Sequence, residues 1–99
     1  MVEFGLPERT LMELREYFSK QDNIEKVLIY GSRAKCTYHN GSDIDFAIIG
    51  KNINSAKISG ELDDLPTPYS FDVLDYNSIN HEGMLKSIQN DGKVFYTRD

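Results

Sequence analysis

The 99-residue chain has no tryptophan, one cysteine and no excess of basic residues. Each shortage excludes something. Cys36 alone cannot close an internal disulfide, so a reducing, cytoplasmic compartment is the default. Acidic residues number 16 against 11 basic ones, a formal net charge of −5. Proteins that grip duplex nucleic acid draw much of their affinity from neutralising phosphates, so direct nucleic-acid binding is disfavoured. A small anionic ligand is still compatible with that charge, because a local cradle and bound cations can override the global field. No apolar run approaches the roughly 20 residues that cross a bilayer. Met1-Val2-Glu3-Phe4 also lacks the basic-then-apolar order of a signal peptide. Internal repeats, low-complexity tracts and interdomain linkers are lacking too.

What is present suits one soluble globular domain over residues 1–99. Hydrophobic residues make up 39% and charged residues 27%, enough for a modest core and too apolar for a disordered chain. The chemistry concentrates in the middle. Val27-Leu28-Ile29-Tyr30 closes a predicted strand, Ile24 to Tyr30, and Gly31-Ser32 follows at once. Gly31 lets backbone approach a ligand, Ser32 offers a hydroxyl, and the N–H groups of a short helix over Ser32 to Lys35 would face an anion. Cys36 to Ser42 reads as a loop, with Asn40-Gly41 its strongest turn signal and a hairpin the consequence.

The strand after that loop carries Asp43 and Asp45. On alternating geometry Asp43, Asp45, Ala47 and Ile49 share one face, and Ile44, Phe46 and Ile48 the other. Both faces are mostly apolar, the pattern of a central strand. A turn explains Asp43, but not Asp45 inside an apolar strand. Two like charges so placed cost free energy unless a cation compensates, and paired hard oxygens are what Mg²⁺ takes. Phosphate cradle and carboxylate pair together are the equipment of metal-assisted nucleotidyl or phosphoryl transfer.

The flanking chain reads as scaffold. Leu6-Pro7-Glu8 opens a helix to about Lys20, with Leu11, Leu14 and Phe18 as its inward stripe. Ser55 is placed to cap a helix bearing Ile58, Leu62 and Leu65, weakened by Gly60 and ended by Pro66-Thr67-Pro68. A strand from Tyr69 to Leu74 contains Asp72; Asp75, where that strand runs out, reads as a turn or cap residue. A last helix from Ile79 or Glu82 to Asn90 would end at Gly92 as its capping glycine. Val94-Phe95-Tyr96 then gives a short strand or docked tail. Cys36, His39 and Asp43 hold zinc-type atoms, but a structural site needs about four ligands and His81 is distant in sequence. Ordinary surface residues are the plainer reading of His39 and His81.

Gly-Ser-Arg-Ala-Lys, a short loop, then Ser42-Asp43-Ile44-Asp45-Phe46-Ala47-Ile48 resembles the minimal nucleotidyltransferases of the DNA polymerase β superfamily. More narrowly it resembles the small partner of prokaryotic HEPN and nucleotidyltransferase pairs, over about Leu11 to Tyr96. The resemblance implies an α/β (or α+β) nucleotidyltransferase fold, a mixed sheet of three or four strands with helices against it. It implies ATP as substrate and one or two Mg²⁺ ions held by Asp43, Asp45 and Asp72. Asp72, in Ser-Phe-Asp-Val-Leu, matches the third carboxylate and would accept the acceptor's proton. Gly31, Ser32 and Arg33 would bind the triphosphate, Arg33 standing at the family's arginine. Lys35 is as well explained as a solvated surface charge.

The implied partner is an α-helical HEPN protein in a hetero-oligomer. The chain would be the antitoxin of a toxin–antitoxin pair and would transfer AMP to a tyrosine of the toxin. A binding-only antitoxin and an antibiotic-type nucleotidyltransferase are the alternatives. One departure stands out: the family's Gly-Ser-Arg-Ala-x-Gly has Cys36 in place of its last glycine. If that position needs positive φ, cysteine costs about 1–2 kcal/mol there, and the loop is expected to differ.

Overall fold

The computed structural model describes residues 3–37 and 43–98. The Asn40-Gly41 turn and His39 lie outside them. The order is α1 (Glu8–Ser19), β1 (Ile24–Tyr30), β2 (Ile44–Gly50), α2 (Ser55–Asp63), β3 (Phe71–Asp75), a 3₁₀ turn (Tyr76–Ser78), α3 (Glu82–Asp91) and β4 (Lys93–Thr97).

The strands form one mixed sheet in the order β3-β2-β1-β4. The expected hairpin is there: β1 and β2 run antiparallel, with Tyr30 opposite Asp45 and Val27 opposite Ile48. β2 and β3 run parallel, with Asp45 opposite Asp72. A parallel neighbour needs a crossover connection, which α2 supplies. β4 pairs antiparallel with β1 at the other edge. β2 is therefore central, as its two apolar faces require.

One face of the sheet is the main core. Val27, Ile29, Ile44, Phe46, Ile48, Val73 and Phe95 project from it and meet Leu11, Leu14 and Phe18 of α1 and Ile58 and Leu62 of α2. Phe18 is the hub, edge-on to Phe46 at 5.2 Å and to Phe95 at 6.1 Å between ring centroids. Such contacts add about 0.5–1.5 kcal/mol beyond burial. The second face is thinner: Tyr30, Ala47 and Ile88 are buried together, flanked by Leu28, Leu74, Tyr76 and Ile79. Among the described residues its cover is α3 and the 3₁₀ turn. That thinness leaves part of the face open.

Three local expectations are corrected. Ser55 is the first residue of α2, and the cap is Asn54, whose side chain accepts from the Lys57 N–H at 3.1 Å. β3 starts at Phe71 rather than Tyr69, after the Pro66-Thr67-Pro68 segment, which bends with the Thr67 N–H donating to the Leu65 carbonyl at 2.7 Å. Gly92 does follow α3, but with φ −67° it is extended rather than left-handed. Glycine is needed there for space: a Cβ would lie 2.3 Å from the Ile88 carbonyl oxygen.

Candidate active site

The site is assembled where β1 ends and β2 and β3 begin. Gly31 turns the chain out of β1 with φ +75°, a conformation that costs other residues about 1–2 kcal/mol. It also has no room for a side chain. A Cβ would sit 2.3 Å from Oδ2 of Asp45. The carboxylate thus packs directly against the turn backbone, so glycine is required twice over.

Beyond Gly31 the chain makes a single helical turn instead of the expected short helix. Lys35 N–H donates to the Gly31 carbonyl at 3.2 Å, Cys36 N–H to Arg33 at 3.4 Å, and Thr37 N–H to Ser32 at 2.9 Å. A six-to-one bond enclosing a five-to-two bond is a Schellman ending, whose penultimate residue is left-handed. That residue is Cys36, exposed, with φ +62°. The position does demand positive φ, and cysteine adopts it. Cysteine therefore carries left-handed strain at the end of this turn. The first N–H groups of such a turn have no carbonyl partners within it, so its opening end at Ser32 is suited to an anion.

The carboxylates converge by register. Asp43 and Asp45, two residues apart, share a face, and Asp72 lies opposite Asp45 on the same face of the neighbouring strand. Asp43 and Asp72 are exposed and Asp45 is half-buried. Burial first, then the charges of Asp72 and Asp43, hold the Asp45 carboxyl above the ordinary carboxylate range; the Arg33 guanidinium acts the opposite way. Among the described residues no three carboxylate, imidazole or thiol groups close into an all-protein metal cage. Mg²⁺ does not ask for one: it takes one or two carboxylates and completes its shell with water and substrate phosphate. A carboxylate row beside a phosphate cradle fits that requirement.

Arg33 is placed deeper than its position in the motif suggests, at 2% exposure. One guanidinium nitrogen donates to the Phe4 carbonyl at 3.0 Å, and the group lies 5.1 Å from the centroid of the Tyr69 ring. Its charge still reaches Asp45 from beneath the turn. Lys35 extends to the surface and pairs with Asp91 at 3.4 Å. Asp75 points to a different task from Asp72. Its carboxylate accepts from the Asn77 N–H at 3.2 Å and the Ser78 hydroxyl at 2.8 Å, capping the 3₁₀ turn.

Tyr30 is a candidate that the motif reading does not single out. It pairs with Asp45 and completes the row Tyr30–Asp45–Asp72 across three strands. Burial, followed by the charges of Asp72 and Asp45, pushes its phenol above the usual range, so the hydroxyl stays protonated. The signal was available: a hairpin joining β1 to β2 places the last residue of β1 close to the start of β2.

The polymerase β nucleotidyltransferase family model matches residues 12–99. The chain is a nucleotidyltransferase of the polymerase β family. Similar solved structures include a toxin–antitoxin complex with AMP-PNP, 20% identical, TM-score 0.64, covering 93% of this chain and 74% of that one. Another is the Shewanella oneidensis complex of a tri-AMPylated HEPN toxin with its MNT antitoxin, 15% identical, TM-score 0.68, covering 91% and 71%. A MntA–HepT toxin–antitoxin complex is 14% identical, TM-score 0.67, covering 92% and 73%. No curated protein sequence matches.

Proposed function

We propose that this nucleotidyltransferase transfers AMP from ATP to a hydroxyl of a helical HEPN partner, acting as the antitoxin of a toxin–antitoxin pair. The observation that carries the reading is the Gly31 turn held against Asp45, with Asp72 in register beside it. The structural likeness to toxin–antitoxin complexes, one with AMP-PNP and one with an AMPylated toxin, supports the substrate and the partner. The reading places the chain in the cytoplasm within a hetero-oligomer. Among the described residues no helix is long and apolar enough to cross a membrane.

Gly31 and Ser32 bind the triphosphate through backbone N–H groups and the Ser32 hydroxyl. Arg33 supports the cradle from below with its charge and its hold on the Phe4 carbonyl. Asp43, Asp45 and Asp72 would hold one or two Mg²⁺. When bound, the metal neutralises phosphate charge and polarises the α-phosphoryl group. The acceptor hydroxyl oxygen forms a bond to the α-phosphorus while the bond to the bridging oxygen of the β-phosphate breaks. Asp72, the more exposed partner in the register pair, takes the hydroxyl proton, and pyrophosphate departs with the electron pair. Asp45, forced close to the cradle by the absence of a Gly31 side chain, fixes the distance between carboxylates and phosphates.

The test is the intact mass of a purified HEPN partner incubated with ATP, Mg²⁺ and this protein. The reading expects one or more added AMP groups with wild type and none with Asp45→Asn. A partner that binds the protein but gains no mass would overturn transfer and favour neutralisation by contact.

A further inference from the structure

The open part of the sheet's second face holds a groove that the reaction above does not use. One recess, of about 340 Å³, is lined by Tyr30, Gly31, His81, Met84 and Ser87. A second, of about 440 Å³, adjoins it through His81 and Met84 and continues to Leu74 and Ile79. Both volumes lie within the range of small-molecule sites. The groove starts at Gly31, part of the phosphate cradle, and passes Tyr30, the register partner of Asp45. It ends at Leu74, two residues beyond Asp72 on the same strand face. It therefore runs alongside the whole carboxylate row.

We propose that this groove holds the nucleobase of the triphosphate, a proposal that rests on the active-site reading above. A base is tethered to its phosphates through the ribose, so it must settle within the span of one ribose from the α-phosphorus. Two other cavities among the described residues lie against α1 and α2, lined by Glu13, Tyr17 and Leu65 and by Asn23, Lys57 and Glu61. They are on the side of the sheet away from the row.

The lining also suits a flat heteroaromatic ring. It combines an aromatic ring, a thioether exposed to 40% and aliphatic side chains, without a lysine, arginine or carboxylate in either recess. Thioethers and rings pack well against π faces. Polar tips stand ready for the base edge. The Tyr30 hydroxyl makes no hydrogen bond within the described residues. His81 Nδ1 accepts from the Met84 N–H at 3.1 Å, which leaves Nε2–H as the donor of the neutral imidazole.

The experiment titrates Mg²⁺-AMP-PNP and Mg²⁺-tripolyphosphate into the full chain by calorimetry. Met84→Ala removes the thioether and Ser87→Tyr fills the recess; both are neutral, so phosphate electrostatics are untouched. Wild type is expected to bind AMP-PNP at least about tenfold more tightly than tripolyphosphate, the range of one stacked base. Both variants are expected to erase that advantage while keeping tripolyphosphate affinity. Equal affinity of wild type for the two ligands, or variants that keep the AMP-PNP advantage, would overturn the groove assignment alone. Failure of wild type to bind either ligand would overturn the active-site reading and the groove with it.

Discussion

Replacing Gly31 by alanine tests the contact on which the site depends. The added Cβ meets two obstacles. At φ +75° an L-residue costs about 1–2 kcal/mol. The Cβ would also fall 2.3 Å from Asp45 Oδ2, and turning that carboxylate off its rotamer adds about 0.5–1.5 kcal/mol. Stiffening of the unfolded chain offsets roughly 0.4–1 kcal/mol. The net loss is about 2 kcal/mol, or roughly 10 °C in Tm for a domain of this size. Transfer should fall further than stability does, because a carboxylate displaced by about 1 Å costs on the order of 100-fold.

Thermal denaturation of Gly31→Ala, repeated in an Asp45→Ala background, separates the two obstacles. With the carboxylate gone only the backbone cost remains, so the loss should shrink to about 1 kcal/mol. An equal loss in both backgrounds would refute the argument that glycine makes room for Asp45.

Asp45→Asn should leave the apo fold at least as stable as wild type near neutral pH while abolishing transfer. Because its carboxyl titrates above the ordinary value of 3.8, the native state holds a proton that the unfolded chain has already lost between those two values. Wild-type stability therefore falls as pH rises through that window, and the advantage of Asp45→Asn, followed by urea denaturation, should shrink toward about pH 4. Cys36→Gly should gain a few tenths to about 1 kcal/mol by releasing left-handed strain, whereas Cys36→Val should lose stability; matched urea melts decide it. Asp75→Ala should cost about 1 kcal/mol as a lost cap and leave nucleotide transfer intact, the reverse of Asp72→Asn. Gly60→Ala, in α2 with nothing within 4 Å of the new methyl, should add about 0.5–1 kcal/mol without changing activity.

The sequence exposed the parts of this molecule that depend on local pattern. Two apolar strands around a turn gave the antiparallel pairing of β1 and β2, and an aspartate stranded between Ile44 and Phe46 pointed to the candidate site. Asp75 was separable from Asp72 because a strand end favours capping. Features set by distant contacts were not legible. The burial of Arg33 depends on the Phe4 carbonyl, 29 residues away in sequence. Placement of β4 beside β1, at the edge opposite β3, is decided by the aromatic cluster of Phe18, Phe46 and Phe95. Gly92 obeyed a sequence rule for the wrong reason: glycine follows the helix, but crowding by Ile88 requires it and not a left-handed turn. The carboxylate row needed the parallel pairing of β2 and β3, which apolar patterning does not specify.

Calorimetric titration of AMP-PNP with and without Mg²⁺, into wild type and Asp45→Asn, is the most direct test of the nucleotide–metal site. Binding by wild type that requires Mg²⁺ and is lost in Asp45→Asn is the predicted result. Binding that is equal in the two proteins, or indifferent to Mg²⁺, would contradict the assignment of Asp45 and its neighbours as the nucleotide–metal site.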